Sequence, residues 1–206
     1  MKNPLRYQVS EYDCGPTSML NAVSYLFARE EIQPEILRNI MIYSLDCYGQ
    51  SGVLGQSGTS RMAMMFLSRW LSGVGDAGLL PIECQYLSGK SVYLGEQSLV
   101  VDALNRGGVV VMRLYMDGEH YVLLTKREGE NIYLFDPYYM TENPFGSEIE
   151  FNLEQPCRYN RIVPFACFNR EEAAPYALGK VAEREAVLLF DTRNKLTAER
   201  TIEYFI

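Results

Sequence analysis

The sequence predicts an α+β fold in which a helical first half packs against an antiparallel sheet. Three observations carry this. Apolar residues recur at helical spacing in successive segments up to Asn105. From Val109 onward the pattern changes to short β-branched and apolar runs. Asp117-Gly118 and Glu128-Gly129-Glu130 then punctuate those runs as turns between consecutive antiparallel strands.

The first helix is set in the stretch 8–27, QVSEYDCGPTSMLNAVSYLF, with Cys14 at its mouth. Gly15 allows close backbone approach, Pro16 suits the first helical position, and Met19, Val23, Leu26 and Phe27 share one buried face. A thiol at a helix start meets unpaired N–H groups and the positive end of the helix dipole, which favour the thiolate. A second helix starts near Pro34, with Ile36, Leu37, Ile40 and Met41 inward. It stops before a glycine-rich loop, residues 46–58, that carries GQSG at Gly49 and again at Gly55. Such a loop is either an ordinary surface connection or a flap beside a cleft; neither copy makes the G-x-S-x-G elbow of a serine hydrolase. Ser60 caps a third helix with Met62, Met65, Phe66 and Trp70 as its core stripe and Gly73 as its end.

Residues 81–93 read as irregular with a short strand, and a helix over 97–105 stops at Gly107-Gly108. Strands follow over 109–116, 121–125 and 132–135, and further strands over 148–153, 161–168, 185–190 and 201–206. Residues 192–195 read as the last hairpin turn. The later strands would extend or cover the sheet, and an unpaired edge at 185–190 or 201–206 would offer a surface to a second copy, a homodimer through the C-terminal part.

Composition narrows the function classes. The chain has 206 residues, 48% of them hydrophobic, enough for one well-buried core. A formal charge of -7 and the absence of a lysine or arginine run give no electrostatic footprint for nucleic acid or an anionic membrane surface, so neither is expected as a partner. No apolar run approaches a membrane span and MKNPLRYQ has no signal-peptide core, so a cytoplasmic protein without membrane insertion is expected. The five cysteines, Cys14, Cys47, Cys84, Cys157 and Cys167, are odd in number and lack a C-x-x-C pair, which argues against a disulfide framework and a zinc site. Cys84, Cys157 and Cys167 sit among apolar neighbours and read as packing residues. No cofactor or metal is expected.

One histidine exists, His120, at the start of HYVLL, and a cysteine nucleophile needs such a base. Asp136, in FDPYY on the next strand, could accept the second ring N–H and fix the tautomer. A three-residue loop at 128–130 would set Val122 opposite Asp136 and place His120 and Asp136 on one face as diagonal neighbours. A two- or four-residue loop would separate them unless a bulge intervenes. Gln8 could donate to an oxyanion beside the Cys14 N–H. Singly these residues are weak signals; in this chain order they read as a thiol catalyst.

Gln8, Asp13-Cys14-Gly15-Pro16 with Met19, His120-Tyr121-Val122-Leu123-Leu124 and Asp136-Pro137 together resemble the papain-like cysteine peptidases of family 39, which include the bacteriocin-processing domains that cut leader peptides after a double glycine. The resemblance covers roughly residues 1–140. It implies a papain-like fold for a core at 1–140 with a β-rich C-terminal extension of the same domain at 141–206. It also implies Cys14 as nucleophile, His120 as general acid and base, Asp136 as orienting residue and Gln8 as oxyanion donor. The implied substrate is a peptide or small amide, with Gly-Gly-type leader cleavage as one form. The best-known members are fused to a transporter, whereas here no membrane span or G-x-x-x-x-G-K-[ST] motif is seen, which suggests a stand-alone form. Two other readings stay open: acyl or γ-glutamyl transfer on the same residues, as in the similar phytochelatin synthases, and a non-catalytic module whose cleft holds a peptide.

Overall fold

The computed structural model describes residues 3–197. Five helices are formed by Cys14–Leu26 (α1), Pro34–Ser44 (α2), Arg61–Asp76 (α3), Leu99–Asn105 (α4) and Phe165–Phe168 (α5). Seven strands follow as Ile82–Ser88 (β1), Val109–Tyr115 (β2), Glu119–Glu128 (β3), Asn131–Phe135 (β4), Glu150–Phe151 (β5), Arg161–Pro164 (β6) and Glu185–Asp191 (β7). They make one antiparallel sheet in the order β1-β7-β2-β3-β4-β6-β5. The α+β reading of the sequence therefore holds at the level of helices and an antiparallel sheet.

Alternation along the strands divides the core in two. Val109, Val111, Tyr121, Leu123, Val187 and Leu189 pack with α1, α2 and α3 on one face. Val110, Met112, Val122, Leu124, Ala186 and Leu188 pack with α4, Phe168, Tyr176 and Leu178 on the other. Helix α1 is buried from Cys14 to Ser24, so its polar residues need internal partners. Ser18 Oγ donates to the Tyr121 carbonyl at 3.0 Å. Asn21 clamps the backbone of Arg6, accepting its N–H at 2.8 Å and donating to its C=O at 2.9 Å.

Several elements differ from the sequence reading. The stripe Met62, Met65 and Phe66 is exposed, Trp70 is half-buried, and the buried side of α3 is Ala63, Met64, Leu67, Ser68, Leu71 and Val74. Helix α3 is apolar on two sides, so periodicity alone does not choose between them. Its end is Asp76 rather than Gly73; Gly75 is where a Cβ would stand 2.0 Å from the Ile82 carbonyl oxygen, so that glycine permits the approach of β1. Met41 is exposed. Cys14 opens α1, which leaves Pro16 later in the first turn, where its missing N–H is still no loss. The expected strand 161–168 ends at Pro164 and turns into α5, and 148–153 keeps only Glu150 and Phe151 in the ladder.

The largest difference concerns β7. It lies inside the sheet, paired with β1 on one side and β2 on the other, so no unpaired edge exists at 185–190 for a second copy. Residues 192–195 do turn, with Asn194 N–H donating to the Asp191 carbonyl at 3.0 Å, but Leu196 N–H then bonds to the Arg106 carbonyl and not to a returning strand. The strand expected at 201–206 lies outside the described residues. Among the described residues no helix is long and apolar enough to cross a membrane, and no group of three acidic, histidine or cysteine side chains could hold a metal.

Candidate active site

The turn between β3 and β4 contains two residues, Gly129 and Glu130, and pairs Glu128 with Asn131, Arg127 with Ile132 and Lys126 with Tyr133. A bulge at Thr125 then shifts the register, so that Leu124 faces Leu134 and Leu123 faces Phe135. Continued past the ladder, that register sets Val122 opposite Asp136. The bulge thus restores the alignment that a three-residue loop would have given. His120 Nε2 lies 2.8 Å from Asp136 Oδ1. With Nε2–H donated to the carboxylate, Nδ1 is the ring nitrogen left for the Cys14 thiol, which is close enough to add to the imidazole's affinity for a proton.

Asp136 is fully buried and its carboxylate is satisfied on both oxygens. Oδ1 also accepts the Tyr138 N–H at 2.8 Å, and Oδ2 accepts the Tyr176 hydroxyl at 2.7 Å. Its backbone is clamped by buried Asn160, whose Oδ1 accepts the Asp136 N–H at 2.7 Å and whose Nδ2 donates to the Asp136 C=O at 2.8 Å. Burial opposes ionisation of Asp136, but His120 and the hydroxyl and amide donors outweigh it and hold the carboxyl below its ordinary range. For His120 burial likewise opposes the charged form, and Asp136 and Cys14 together outweigh it, so its affinity for a proton rises.

Gln8 reaches the site from the N-terminal segment. Its N–H donates to the Pro137 carbonyl at 2.9 Å, and its side-chain Nε2 donates to the Ser10 carbonyl at 2.8 Å. Its Oε1 is buried without a partner among the described residues. Asp13 shapes this segment. Its carboxylate accepts the Val9 N–H at 3.0 Å and the Ser10 N–H and hydroxyl, both at 2.7 Å, and so does not cap the first-turn N–H groups of α1. Burial raises the Asp13 carboxyl while these donors lower it further, with a net downward shift.

Cys14, His120 and Gln8 line a cleft of about 410 Å³ with Tyr12, Met116, Tyr138 and Met140. The glycine-rich loop ends beside it. A Cβ on Gly15 would stand 2.2 Å from Thr59 Oγ1, and one on Gly58 would stand 3.3 Å from the Tyr12 carbonyl oxygen. A larger apolar groove of about 650 Å³ runs over Met62, Met65, Phe66 and Tyr86 and shares no lining residue with the cleft. Three thiols outside the cleft, Cys47, Cys84 and Cys167, lie in surroundings that disfavour ionisation. Burial, with Glu83 and Glu148 respectively, pushes Cys84 and Cys167 up, and burial with Asp46 and Glu119 pushes Cys47 up.

The four residues expected from the sequence thus meet in one place: His120 is hydrogen-bonded to Asp136, and Cys14, His120 and Gln8 line the same cleft. Tyr176 and Asn160 escaped sequence reasoning. Neither belongs to a motif, and both come from the stretch beyond residue 140. Asp13 had a sequence signal, an aspartate just before a helix.

No protein-family model matches the chain, and no curated protein matches it. Among solved structures it is similar to a double-glycine motif protease from an AMS/PCAT transporter, solved in complex with the leader peptide. The TM-score is 0.43 with 13% identity, over 91% of this chain and 89% of that one.

Proposed function

We propose that the chain is a thiol-dependent peptidase of the papain-like type, acting on a peptide and, as the motif resemblance implies, on a Gly-Gly-type site. The observation that carries this is the line Cys14–His120–Asp136, with the 2.8 Å ring-to-carboxylate contact at its centre and the thiol at the N-terminus of α1. In the proposed cycle the Cys14 thiolate attacks the amide carbonyl carbon, and the C=O electron pair moves onto oxygen. Gln8 Nε2–H and the Cys14 backbone N–H stabilise that oxyanion. Collapse expels the amine, which takes its proton from the His120 imidazolium and leaves a thioester on Cys14. Neutral His120 then removes a proton from water, hydroxide adds to the thioester, and the carboxylic acid leaves as the thiol is restored. Asp136 keeps the ring in one tautomer and balances the imidazolium charge. An intracellular, reducing setting would keep Cys14 free.

The test is to incubate the full chain with peptides that contain an internal Gly-Gly and follow cleavage and acylation by mass spectrometry, with and without a free amine acceptor. The proposal expects a thioester adduct on Cys14, two hydrolysis fragments, and loss of both in Cys14→Ser and His120→Ala. Product that carries the added amine in place of water would assign the chain to acyl transfer. Tight peptide binding with no adduct and no cleavage would mean a binding module.

A further inference from the structure

Tyr176 is a non-glycine residue at φ +61, a conformation costly for a bulky side chain, and it is almost completely buried at 1% exposure. What that backbone achieves is a direction. Tyr176 N–H bonds to the Tyr115 carbonyl at 2.9 Å at the end of β2, the ring lies edge-on to Phe145 at 5.7 Å, and the hydroxyl reaches Asp136 Oδ2 at 2.7 Å. Behind the hydroxyl lies Arg161 of β6, which is fully buried, stacks 3.5 Å over Phe151 and donates to the Asn160 carbonyl at 2.9 Å. Its Nε and Nη2 have no partner among the described residues. A buried guanidinium without a contacting carboxylate is costly by itself, and the ionised Asp136 one hydroxyl away offsets it.

Resting on the peptidase reading for its catalytic meaning, we propose that Tyr176, backed by Arg161, is the positioning residue of the site. Its hydroxyl fixes the rotation of the Asp136 carboxylate so that Oδ1 meets His120 Nε2–H and Nδ1 is presented to Cys14. The groups that face Asp136 are His120 from β3, the Tyr138 N–H, the Asn160 clamp, and Tyr176 with Arg161 behind it. Of these only Tyr176 holds Oδ2. Without it the carboxylate can turn, and the ring loses its fixed acceptor.

The experiment uses the full chain and its single histidine, whose imidazole Nε2–H gives one downfield proton signal with no assignment problem. Exchange of that proton with water is measured at pH 6 in wild type, Tyr176→Phe, Asp136→Asn and the double variant. The inference expects Tyr176→Phe to exchange about tenfold faster, the loss of one hydrogen bond to a charged group. It also expects the same substitution to change exchange by less than about twofold once Asp136 is Asn, because the route runs through that carboxylate. An equal effect in both backgrounds, or none in either, overturns it and leaves Tyr176 as packing. Arg161→Met gives a second handle should Tyr176→Phe fail to fold: it is expected to speed exchange only while Asp136 is present, and an equal effect in Asp136→Asn would overturn the inference. Alkylation of Cys14 in the same samples separates the two claims. A slow wild-type thiol would sink the peptidase reading and leave the exchange result standing.

Discussion

Asn160→Ala should cost far more than an ordinary loop substitution, because the side chain it removes satisfies two groups of one backbone residue. Asn160 is 1% exposed, and its amide makes bonds of 2.7 and 2.8 Å to the N–H and C=O of Asp136, itself fully buried. Alanine reaches neither group, and both are shut off from bulk solvent by burial. A buried polar group left unpaired costs about 1–3 kcal/mol. Two of them give about 2–6 kcal/mol, and we take about 3 kcal/mol as the expected loss because some relaxation will re-pair one group. For a chain of this length about 1 kcal/mol corresponds to about 2–4 °C, so the melting temperature should fall by about 6–12 °C. The assay is urea unfolding, read for a lower midpoint at constant slope, together with iodoacetamide labelling of Cys14 under native conditions. Labelling should slow as well, since Asp136 carries His120. Asn169→Ala is the control. Asn169 makes the same two-bond clamp on Leu94, but it is exposed, so water can replace it, and it does not line the cleft. It should cost under about 1 kcal/mol and leave Cys14 labelling unchanged. A loss under about 0.5 kcal/mol for Asn160→Ala, or equal slowing of labelling by both variants, would refute the idea that this clamp sets the site.

Stability should depend on pH through His120. Its folded form holds the proton more tightly than an unfolded histidine, so its contribution is complete below about pH 6.5 and is lost as pH rises toward about 10. The urea midpoint should therefore fall over that window in wild type and fall less in His120→Ala. Asp136 has the opposite sign: its depressed carboxyl contributes fully above about pH 3.9, and that contribution is lost only as pH falls through the lower folded value. Two glycines of α3 should separate cleanly in melting experiments. Gly75→Ala puts a Cβ 2.0 Å from the Ile82 carbonyl and should cost at least about 1–3 kcal/mol, whereas Gly73→Ala meets nothing within 4 Å and should gain about 0.5–1 kcal/mol. Removing residues 141–206 takes away β5, β6 and the interior β7, so the shortened chain should be insoluble or lack cooperative unfolding by circular dichroism.

What the sequence showed and what it hid follow from how far each signal reaches. The start of α1 is written in adjacent residues, a cysteine, a glycine and a proline, although the aspartate before them turns its carboxylate back to Val9 and Ser10 and does not cap the helix. The facing of His120 and Asp136 was legible as a condition, because strand register follows from loop length, and the structure meets it by the other allowed route, a two-residue turn with a bulge at Thr125. No local pattern distinguishes Thr125 from its neighbours as the bulge. On α3, Met62, Met65 and Phe66 have the spacing of a core stripe, but Ala63, Met64, Leu67 and Leu71 have it too. The side with the small residues Ala63, Ser68 and Gly75 won because it lets β1 and β7 approach closely. Asn160 and Tyr176 were invisible for a different reason. A buried amide clamp and a buried hydroxyl are defined by partners 24 and 40 residues away, and only the fold brings those partners together. The same limit hid the interior place of β7, a strand whose neighbours β1 and β2 both precede it by far in the chain.

The central claim is that His120 activates Cys14, and the rate of Cys14 alkylation by iodoacetamide across pH 4–10 in wild type and His120→Ala tests it most directly. Peptide mass spectrometry reads each cysteine separately, and Cys47, Cys84 and Cys167, whose surroundings disfavour ionisation, serve as internal references. The account predicts that at pH 6 Cys14 of wild type labels faster than every reference thiol, and that His120→Ala slows Cys14 by at least about tenfold while leaving the references unchanged. A Cys14 that labels no faster than the references, or at the same rate in both proteins, would contradict it.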